Sequence, residues 1–283
     1  MQSIAQETND AITAFVSAFA VNGIPANESL LPSEYRFVTR WFTPSQELPL
    51  CGHGALATAY ALYGTNAVPR EKSIQFYSNI SHLSPSKLLV EARYDSASGS
   101  IELECNSRVC IPFVSSPEQS QALVATFGIV EPSEILFVGE ECDDLLVHVT
   151  SAAFLRLGSI VDCSPLLVFP HRRVSITSEY NPADVHGTGL AEILLMCDTA
   201  IDFISRVFLP RNVFVEDQVT GTAHCLIFPY WLKSRSREQS ITQVSYQCSK
   251  RGGIIQGRVD VDKVYLKGAC VQVSSGMLTL AGL

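Results

Sequence analysis

The chain lacks the short motifs of several large enzyme classes. Its 283 residues contain no P-loop, no G-x-G-x-x-G motif after a strand and no G-x-S-x-G nucleophile elbow. Since these turns hold phosphates or expose a nucleophilic serine, their absence argues against a nucleotide-driven enzyme and against an α/β-hydrolase.

Paired cysteines and clusters of metal ligands are missing as well. The nine cysteines are scattered and mostly flanked by apolar residues, and no two of them form a C-x-x-C pair. The six histidines do not cluster with them. This pattern predicts the buried, reduced thiols of a cytoplasmic protein and no metal site.

Positive charge and long apolar runs are both scarce. The net charge of −8 disfavours nucleic acids and anionic membranes as partners, but a local site can still bind a small anionic substrate. The apolar stretches 193–197 and 225–232 are too short to span a bilayer. Residues 1–20 contain Glu7 and Asp10 and lack the basic start of a signal peptide. We therefore expect a soluble cytoplasmic protein.

Apolar residues are abundant enough for a large core, since 47% of the chain is hydrophobic and 17% is charged. Predicted strands outnumber helices, and most strand connections are short. This favours an α+β fold of mostly antiparallel sheets, each wrapped around a central helix. We predict an N-terminal lobe over residues 1–115 and a C-terminal lobe over residues 116–283, with a last strand that can return to the first lobe.

One pattern occurs twice along the chain. Residues 40–44 (Arg-Trp-Phe-Thr-Pro) precede residues 51–55 (Cys-Gly-His-Gly-Ala), and residues 206–210 (Arg-Val-Phe-Leu-Pro) precede residues 220–224 (Thr-Gly-Thr-Ala-His). Each copy predicts a strand, a polar turn, a glycine and then a helix. A helix that starts at glycine offers free backbone N–H groups and the positive end of its dipole. Two such starts facing each other would form an anion-binding cleft between the lobes.

The first copy supplies His53 and Cys51 as candidate side chains. The helix start favours a neutral His53 imidazole, although a histidine without a task is the alternative. Cys51 is either a thiol activated by the helix dipole or a small buried residue. We expect the backbone of Gly52 and Gly54 to bind the substrate beside them.

The second copy supplies Asp217 and Thr222. Asp217 is either a helix cap or a charged group aimed into the cleft, and Thr222 either donates to a substrate oxygen or caps the helix. The backbone of Gly221 and Ala223 is expected to bind substrate. Arg251 either pairs with a substrate carboxylate or is a solvated turn residue.

These segments, together with residues 247–253 and the glycines 268 and 276, resemble the PhzF (phenazine biosynthesis-like) family. The resemblance covers most of the chain and is weak between about Val114 and Glu192. It implies a fold similar to diaminopimelate epimerase, with two pseudo-symmetric lobes and no cofactor. Characterised members are isomerases that move a proton on a small ring carrying a carboxylate, and homodimers are common among them.

Carried over by residue, His53 matches the family's histidine at the first helix start and Asp217 matches its aspartate in the cleft. Thr222 lies where the family usually has serine, which preserves a hydroxyl. Gln218 replaces the usual proline, and Gly54 replaces the usual alanine.

One departure affects the chemistry itself. The family's proton-shuttling glutamate falls on Ile12, which cannot exchange a proton. Asp10 would share a face with Ile12 if this segment were extended, at roughly 6–7 Å along the strand. It is therefore a candidate substitute.

A second departure concerns the beginning of the sequence. The family normally starts with a strand and a Gly-Asn-Pro element ahead of the helix that opens this sequence. Either the first sheet is one strand short, with an exposed edge, or the sequence comes from a shortened gene model or isoform.

Three functions remain open at this point. The first is a cofactor-independent isomerase in secondary metabolism that acts on a small carboxylate or enol metabolite, with Asp217 and His53 handling protons and Thr222 orienting the substrate. The second is a catalytically silent relative that binds a metabolite or a partner protein. The third is a cyclase that only positions and polarises its substrate.

Overall fold

The structure is a computed structural model that describes residues 1–18, 34–77, 88–158, 161–185, 199–212 and 215–277. The chain divides into two compact units. Unit 1 comprises Met1–Leu103 and Lys267–Leu283, and unit 2 comprises Glu104–Leu266. The chain passes into unit 2 within one strand, β6, and returns within another, β14.

Unit 1 is built from a small set of helices and strands. Its elements are α1 (Gln2–Thr8), β1 (Thr13–Ala18), β2 (Glu34–Phe42), β3 (Glu47–Leu48), α2 (Gly52–Gly64), β4 (Ser73–Tyr77), β5 (Leu88–Asp95) and the first part of β6 (Ser100–Asn106). The strands follow the order β1-β2-β4-β5-β6, and β3 pairs with β2.

Unit 2 is larger. Its elements are the end of β6, β7 (Ile111–Pro112), α3 (Pro117–Phe127), a 3-10 turn (Pro132–Glu134), β8 (Ile135–Glu141), β9 (Asp144–Val149), α4 (Ser151–Leu155), a 3-10 helix (Ser164–Val168), β10 (Arg173–Glu179), α5 (Pro182–Val185), β11 (Phe203–Phe208), α6 (Gly221–Ser234), β12 (Thr242–Gln247), β13 (Gly253–Asp260) and β14 (Lys263–Gly268). Its strand order is β14-β13-β12-β11-β10-β9-β8-β7.

The two units repeat one strand arrangement, as the sequence predicts. In unit 1, β1 pairs antiparallel with β2, β2 pairs parallel with β4, and β4 pairs antiparallel with β5. In unit 2, β10, β11, β12 and β13 pair in the same succession of senses. The parallel pair is joined through α2 in one unit and through α6 in the other, since parallel strands need a crossover connection. The chain therefore has an α+β fold with two related lobes.

Each crossover helix packs into the core of its own unit. Ala55, Ala59 and Tyr63 of α2 are buried, and α6 buries a larger set that includes Phe228 and Trp231. A Cβ atom at Gly257 of β13 would lie 2.3 Å from the Phe228 ring. The glycine therefore lets α6 approach the sheet closely, and it fixes the depth at which this helix starts.

The outer edges of β1 and β10 differ. In unit 2, β10 pairs in parallel with β9 and is buried along Arg173–Ser178. Among the described residues of unit 1, β1 pairs with β2 alone, and Val16 is 41% exposed. That the first sheet lacks a strand stays a prediction.

The division between the units lies earlier than the predicted boundary at residues 115 and 116. The reason is local pairing, since Ser107 N donates to Asp262 O, Arg108 N donates to Cys225 O, and β7 pairs with β8. These contacts bind residues 104–115 to unit 2. The segment 267–277 belongs to unit 1.

The sequence also predicts strands at residues 166–169, 191–197 and 269–274. The structure instead has a 3-10 helix over residues 164–168, and residues 269–277 contain no strand. Residues 191–197 lie outside the described residues. Among the helices described, none is long and apolar enough to cross a membrane.

Candidate functional site

The start of α2 has no side-chain cap. Its N-cap residue Cys51 has extended backbone angles and makes no capping hydrogen bond, and the first helical bond runs from Ala55 N to Cys51 O at 2.8 Å. The amides of Gly52, His53 and Gly54 precede that bond. They are therefore available to an anion, with the helix dipole behind them.

The side chains at this start are close together. Cys51 is buried, and its Sγ lies 3.5 Å from Nε2 of the half-buried His53. A Cβ atom at Gly54 would lie 2.7 Å from Cδ1 of Trp41 and 3.2 Å from Cys51 Sγ. The indole thus fills the space that the alanine side chain of other family members would take. Gly54 is therefore required by Trp41.

An arginine–glutamate pair braces the turn ahead of each helix. Arg40 donates from Nε and Nη2 to Glu47 at 2.7 Å each, and Arg206 donates likewise to Glu216 at 2.7 and 2.9 Å. The hydrogen bond with Glu47 raises the pKa of Arg40. Each guanidinium also lies over a phenylalanine ring two residues further along its strand, at 5.0 Å in unit 1 and 5.1 Å in unit 2. The repeat therefore includes the support of the turn as well as its backbone.

The start of α6 is also uncapped, because its N-cap side chain is directed elsewhere. Thr220 Oγ1 donates to Asp217 Oδ2 at 2.7 Å, and the first helical bond runs from His224 N to Thr220 O at 3.3 Å. The amides of Gly221 to Ala223 precede that bond. Asp217 accepts from Thr220 and does not cap the helix itself.

The residue after Asp217 changes how this carboxylate is held. The amide of Gln218 donates to Asp217 Oδ1 at 2.9 Å. The proline expected at this place from the family resemblance has no N–H group and cannot make that bond. Each carboxylate oxygen of Asp217 thus accepts one hydrogen bond, and further lone pairs remain for a proton or a substrate.

The side chain of Gln247 forms hydrogen bonds with both ends of the turn between Asp217 and Thr220. Its fully buried amide accepts from Thr220 N at 2.8 Å and donates to Asp217 O at 2.7 Å. The strand β12 therefore positions both ends of the turn, because one rigid side chain bonds each of them.

His224 is a structural residue of the same region. It is fully buried, its Nδ1 donates to Thr220 O at 2.8 Å, and its Nε2 accepts from Ser245 at 3.0 Å and Ser205 at 3.3 Å. Burial lowers the pKa of His224 to about 4. The ring is therefore neutral, and it fixes the carbonyl of the N-cap residue.

A charged network that the sequence does not reveal contacts Thr222. Arg173, which opens β10, donates from Nη1 to Thr222 Oγ1 at 2.6 Å and forms a two-pronged pair with Asp144 at 2.9 and 2.5 Å. Arg108 also pairs with Asp144. Burial acts to raise the pKa of Asp144, but the charges and hydrogen bonds of both arginines outweigh it and lower the pKa.

The sequence alone does not single out Arg173, because its segment, Arg-Val-Ser-Ile-Thr-Ser, has the polar composition typical of a loop. The alternation of Val174 and Ile176 with small hydroxyl residues is a strand signal that could have found β10.

Two further candidates are exposed. Asp10 follows the left-handed Asn9, with φ of 52°, and the backbone bends at Ala11, between Asp10 and Ile12. The segment from Asp10 to Ile12 is thus not extended, and the strand spacing assumed for Asp10 does not apply. Ile12 is partly buried just before β1. Arg251 is exposed, with Nη1 3.5 Å from Gln218 Oε1.

The residues of the candidate site therefore fall into two groups. Unit 1 brings together Cys51, Gly52, His53 and Gly54, and unit 2 brings together Asp217, Gly221, Thr222 and Ala223. Within the described ranges, no group of His, Cys, Asp and Glu side chains could hold a metal ion. A surface pocket of about 280 Å³ in unit 2 borders Glu216, Gln218, Ser249 and Lys250, but it includes neither Asp217 nor Thr222.

Comparisons with known proteins extend over almost the whole chain. A family model described as Phenazine biosynthesis-like protein matches residues 1–276. An uncharacterized isomerase of Pseudomonas aeruginosa is 32% identical over 288 residues, covering 99% of this chain and 87% of the relative. An uncharacterized isomerase of Halalkalibacterium halodurans is 30% identical, with the same coverage.

Solved structures agree with these relatives. The crystal structure of a putative phenazine biosynthesis PhzC/PhzF protein from Clostridium difficile has a TM-score of 0.71 at 26% identity. The match covers 99% of this chain and 87% of the chain in that crystal structure. A PhzF family protein of Enterococcus faecalis has a TM-score of 0.69 at 26% identity, covering 94% and 82%.

Proposed function

Because the chain belongs to the phenazine biosynthesis-like protein family, we propose that it is an isomerase that acts without a cofactor on a small carboxylate or enol metabolite. The observation that carries this proposal is the pair of uncapped helix starts, each accompanied by side chains that can donate or accept a proton. The two relatives named as isomerases support the reaction class.

In the proposed reaction, the helix starts bind the carboxylate or enol oxygens of the substrate. A base, Asp217 or His53, removes a proton from a substrate carbon, and the electron pair moves into an enolate. The amides of the helix starts stabilise its charge because they are already oriented toward the oxygen. The proton then returns to a different carbon or to the opposite face, and Thr222 orients the substrate throughout.

Asp217 suits the role of base in this scheme. Its two hydrogen bonds come from donors in its own turn, Thr220 and Gln218, so the carboxylate is oriented before a substrate arrives. Preorganisation of this kind lowers the cost of reaching the transition state.

The test is exchange of substrate hydrogen for solvent deuterium. We expect the wild-type protein to introduce deuterium into a carboxylate that it binds, and we expect Asp217→Asn to reduce the exchange rate at least about a hundredfold, as is typical for loss of a general base. The matched control is Asp262→Asn, which changes an exposed aspartate outside the turn. Binding without any exchange would contradict the isomerase proposal.

A second function is favoured by Ile12. No carboxylate occupies the family's glutamate position, and Asp10 lies in an exposed bend, so a protein that binds a metabolite without turning it over is the alternative. The substitution Ile12→Glu distinguishes the two. If it creates exchange that the wild type lacks, the wild type has lost only its shuttle and is a binding protein.

We also propose that the chain acts in secondary metabolism, in the cytoplasm and as a homodimer, which follows from its family. Light scattering of the purified chain tests the assembly, and the mass of a single chain would contradict it.

A further inference from the structure

Arg173 is a buried residue that contacts a side chain in the first turn of α6. Only 4% of its side chain is exposed, and its Nη1 lies 2.6 Å from Thr222 Oγ1. The other two nitrogens of the guanidinium are used by the two oxygens of Asp144. The arginine is therefore held in one orientation, because a planar fork with both prongs engaged cannot rotate.

This contact determines what the Thr222 hydroxyl can do. A hydroxyl has one proton to donate and two lone pairs that accept, and an arginine can only donate. The oxygen therefore accepts from Arg173, and its proton must point to a different partner. Among the described residues, the only hydrogen bond recorded for this hydroxyl is the one from Arg173. Thr222 is partly exposed, so the proton is available to a ligand.

The charge of Arg173 strengthens this effect. A cation that donates to the oxygen polarises the O–H bond and makes the hydroxyl a better donor to an anion. Asp144 balances the buried charge on the side away from Thr222, and Arg108 supports Asp144. The pairing with Asp144 thus offsets the desolvation cost of burying Arg173, and it does not use the proton of the Thr222 hydroxyl.

The internal repeat shows that the position of Arg173 is not charged in unit 1. Val174 pairs with Phe208 on β11, and Thr13 pairs with Phe42 on β2, so the residues just before them, Arg173 and Ile12, correspond. Thr222 corresponds in the same frame to His53. Unit 2 therefore has a charged side chain beside its helix start at the place where unit 1 has an isoleucine.

We propose that Arg173, held by Asp144, is a positioning residue that makes the Thr222 hydroxyl a hydrogen-bond donor to a carboxylate or enolate oxygen of the substrate. This rests on the proposed function only in that Thr222 contacts the substrate. Arg173 acts through Thr222 and does not contact the substrate.

The test is a double-mutant cycle in the full-length chain, with benzoate as the probe and calorimetry as the readout. We expect Arg173→Lys to weaken benzoate binding about tenfold, which is the loss expected for one charge-assisted hydrogen bond. In the Thr222→Val background, the same change should have no further effect, because no hydroxyl is left to position. Thr222→Ser should retain binding close to that of the wild type.

The control is Arg156→Lys, which changes a more exposed arginine of unit 2 that pairs with Glu134 at 2.6 Å. It should leave benzoate binding unchanged. If Arg173→Lys does not fold, Asp144→Asn releases the guanidinium while keeping it, and it should give the same coupling with Thr222. An equal loss in both Thr222 backgrounds would overturn the proposal, since Arg173 would then act independently of the hydroxyl.

A second readout separates this proposal from the proposed function. Three-bond NMR couplings of Thr222 report its χ1 angle without any ligand. We expect one rotamer in the wild type and averaging in Arg173→Lys, and an unchanged single rotamer would overturn the positioning role. If the wild type binds no benzoate, the proposed function loses its support while the χ1 measurement still decides the role of Arg173.

Discussion

At the scale of single residues, Gly54 in the candidate site is closely packed. Its Cα faces the Trp41 indole, which is buried, and Thr58 Oγ1 donates to its carbonyl at 2.7 Å. A glycine in place of the alanine expected from the family resemblance would by itself loosen the helix start. The structure shows instead that the missing methyl group makes room for an aromatic ring.

The first prediction follows from this contact. We expect Gly54→Ala to lower the free energy of unfolding by about 1–3 kcal/mol, because overpacking a filled site forces the indole to shift. The control is Gly64→Ala at the other end of α2, where an added Cβ meets nothing within 4 Å. Chemical denaturation measures both. Equal free energies of unfolding for Gly54→Ala and Gly64→Ala would contradict the close approach of Trp41 to Gly54.

The second prediction concerns pH and His224. Burial lowers its pKa to about 4 in the folded protein, against an ordinary value of 6.5. Above pH 6.5 both states are neutral, and as the pH falls from 6.5 toward 4 the unfolded chain takes up a proton that the folded protein does not. Stability should therefore fall on acidification by about 3 kcal/mol from this group, at about 1.4 kcal/mol per pKa unit.

The measurement is the free energy of unfolding across that pH range in the wild type and in His224→Gln. The slope of this free energy against pH reports the number of protons that are taken up on unfolding. In His224→Gln that number should be smaller than in the wild type by up to one, whatever the absolute stability of the variant. An unchanged slope would show that His224 titrates normally and is not sealed in the core. The pKa of His148 is also lowered to about 4 by burial, so part of the slope should remain in the variant.

At the scale of elements, the internal repeat provides matched pairs within one molecule. The braces Arg40–Glu47 and Arg206–Glu216 have the same geometry but different exposure. The Arg40 side chain is 35% exposed, whereas that of Arg206 is 5% exposed. Solvent screens the first pair far more than the second, so the two braces should differ in energy.

The third prediction compares them directly. We expect Arg40→Met to cost less than about 1 kcal/mol of unfolding free energy, as for most surface pairs. Arg206→Met should cost about 3 kcal/mol or more, because it leaves Glu216 without its partner in a partly buried turn. Denaturant titration of the two variants tests this, and equal losses would contradict the difference in burial.

The sequence allowed the elements around each helix start to be predicted closely. Glycine, a preceding polar turn and a run of helix formers mark the starts of α2 and α6 without ambiguity. The strand β10 is harder to recognise in the sequence, because it is buried on both faces and carries Ser175, Thr177 and Ser178 inside the core. A segment rich in serine and threonine is typical of a loop in sequence. In the folded strand, Thr177 Oγ1 donates to Ile204 O at 2.8 Å, so this hydroxyl keeps a hydrogen bond inside the core.

The same limit applies to the candidate site. The sequence predicts Asp217, Thr222 and His53 as site residues because they lie inside the repeated motif. Arg173 and Asp144 come from strands far from that motif in sequence, and only folding brings them to Thr222. The placement of Asp10 beside Ile12 requires an extended backbone, and the bend at Ala11 interrupts it.

At the scale of the whole molecule, the chain consists of two units that repeat one plan with different chemistry. Unit 1 offers a histidine and a thiol at its helix start, and unit 2 offers a carboxylate and an arginine-backed hydroxyl. Each helix start therefore combines backbone N–H groups that can bind an anion with side chains that can exchange or donate a proton.

The claim that both helix starts bind the substrate is tested most directly by amide NMR of the labelled full-length chain during a benzoate titration. We predict that the amides of residues 52–54 shift as benzoate is added, and that the amides of residues 221–223 do so as well. Benzoate that saturates the protein while shifting the amides of only one helix start, or of neither, would contradict the account.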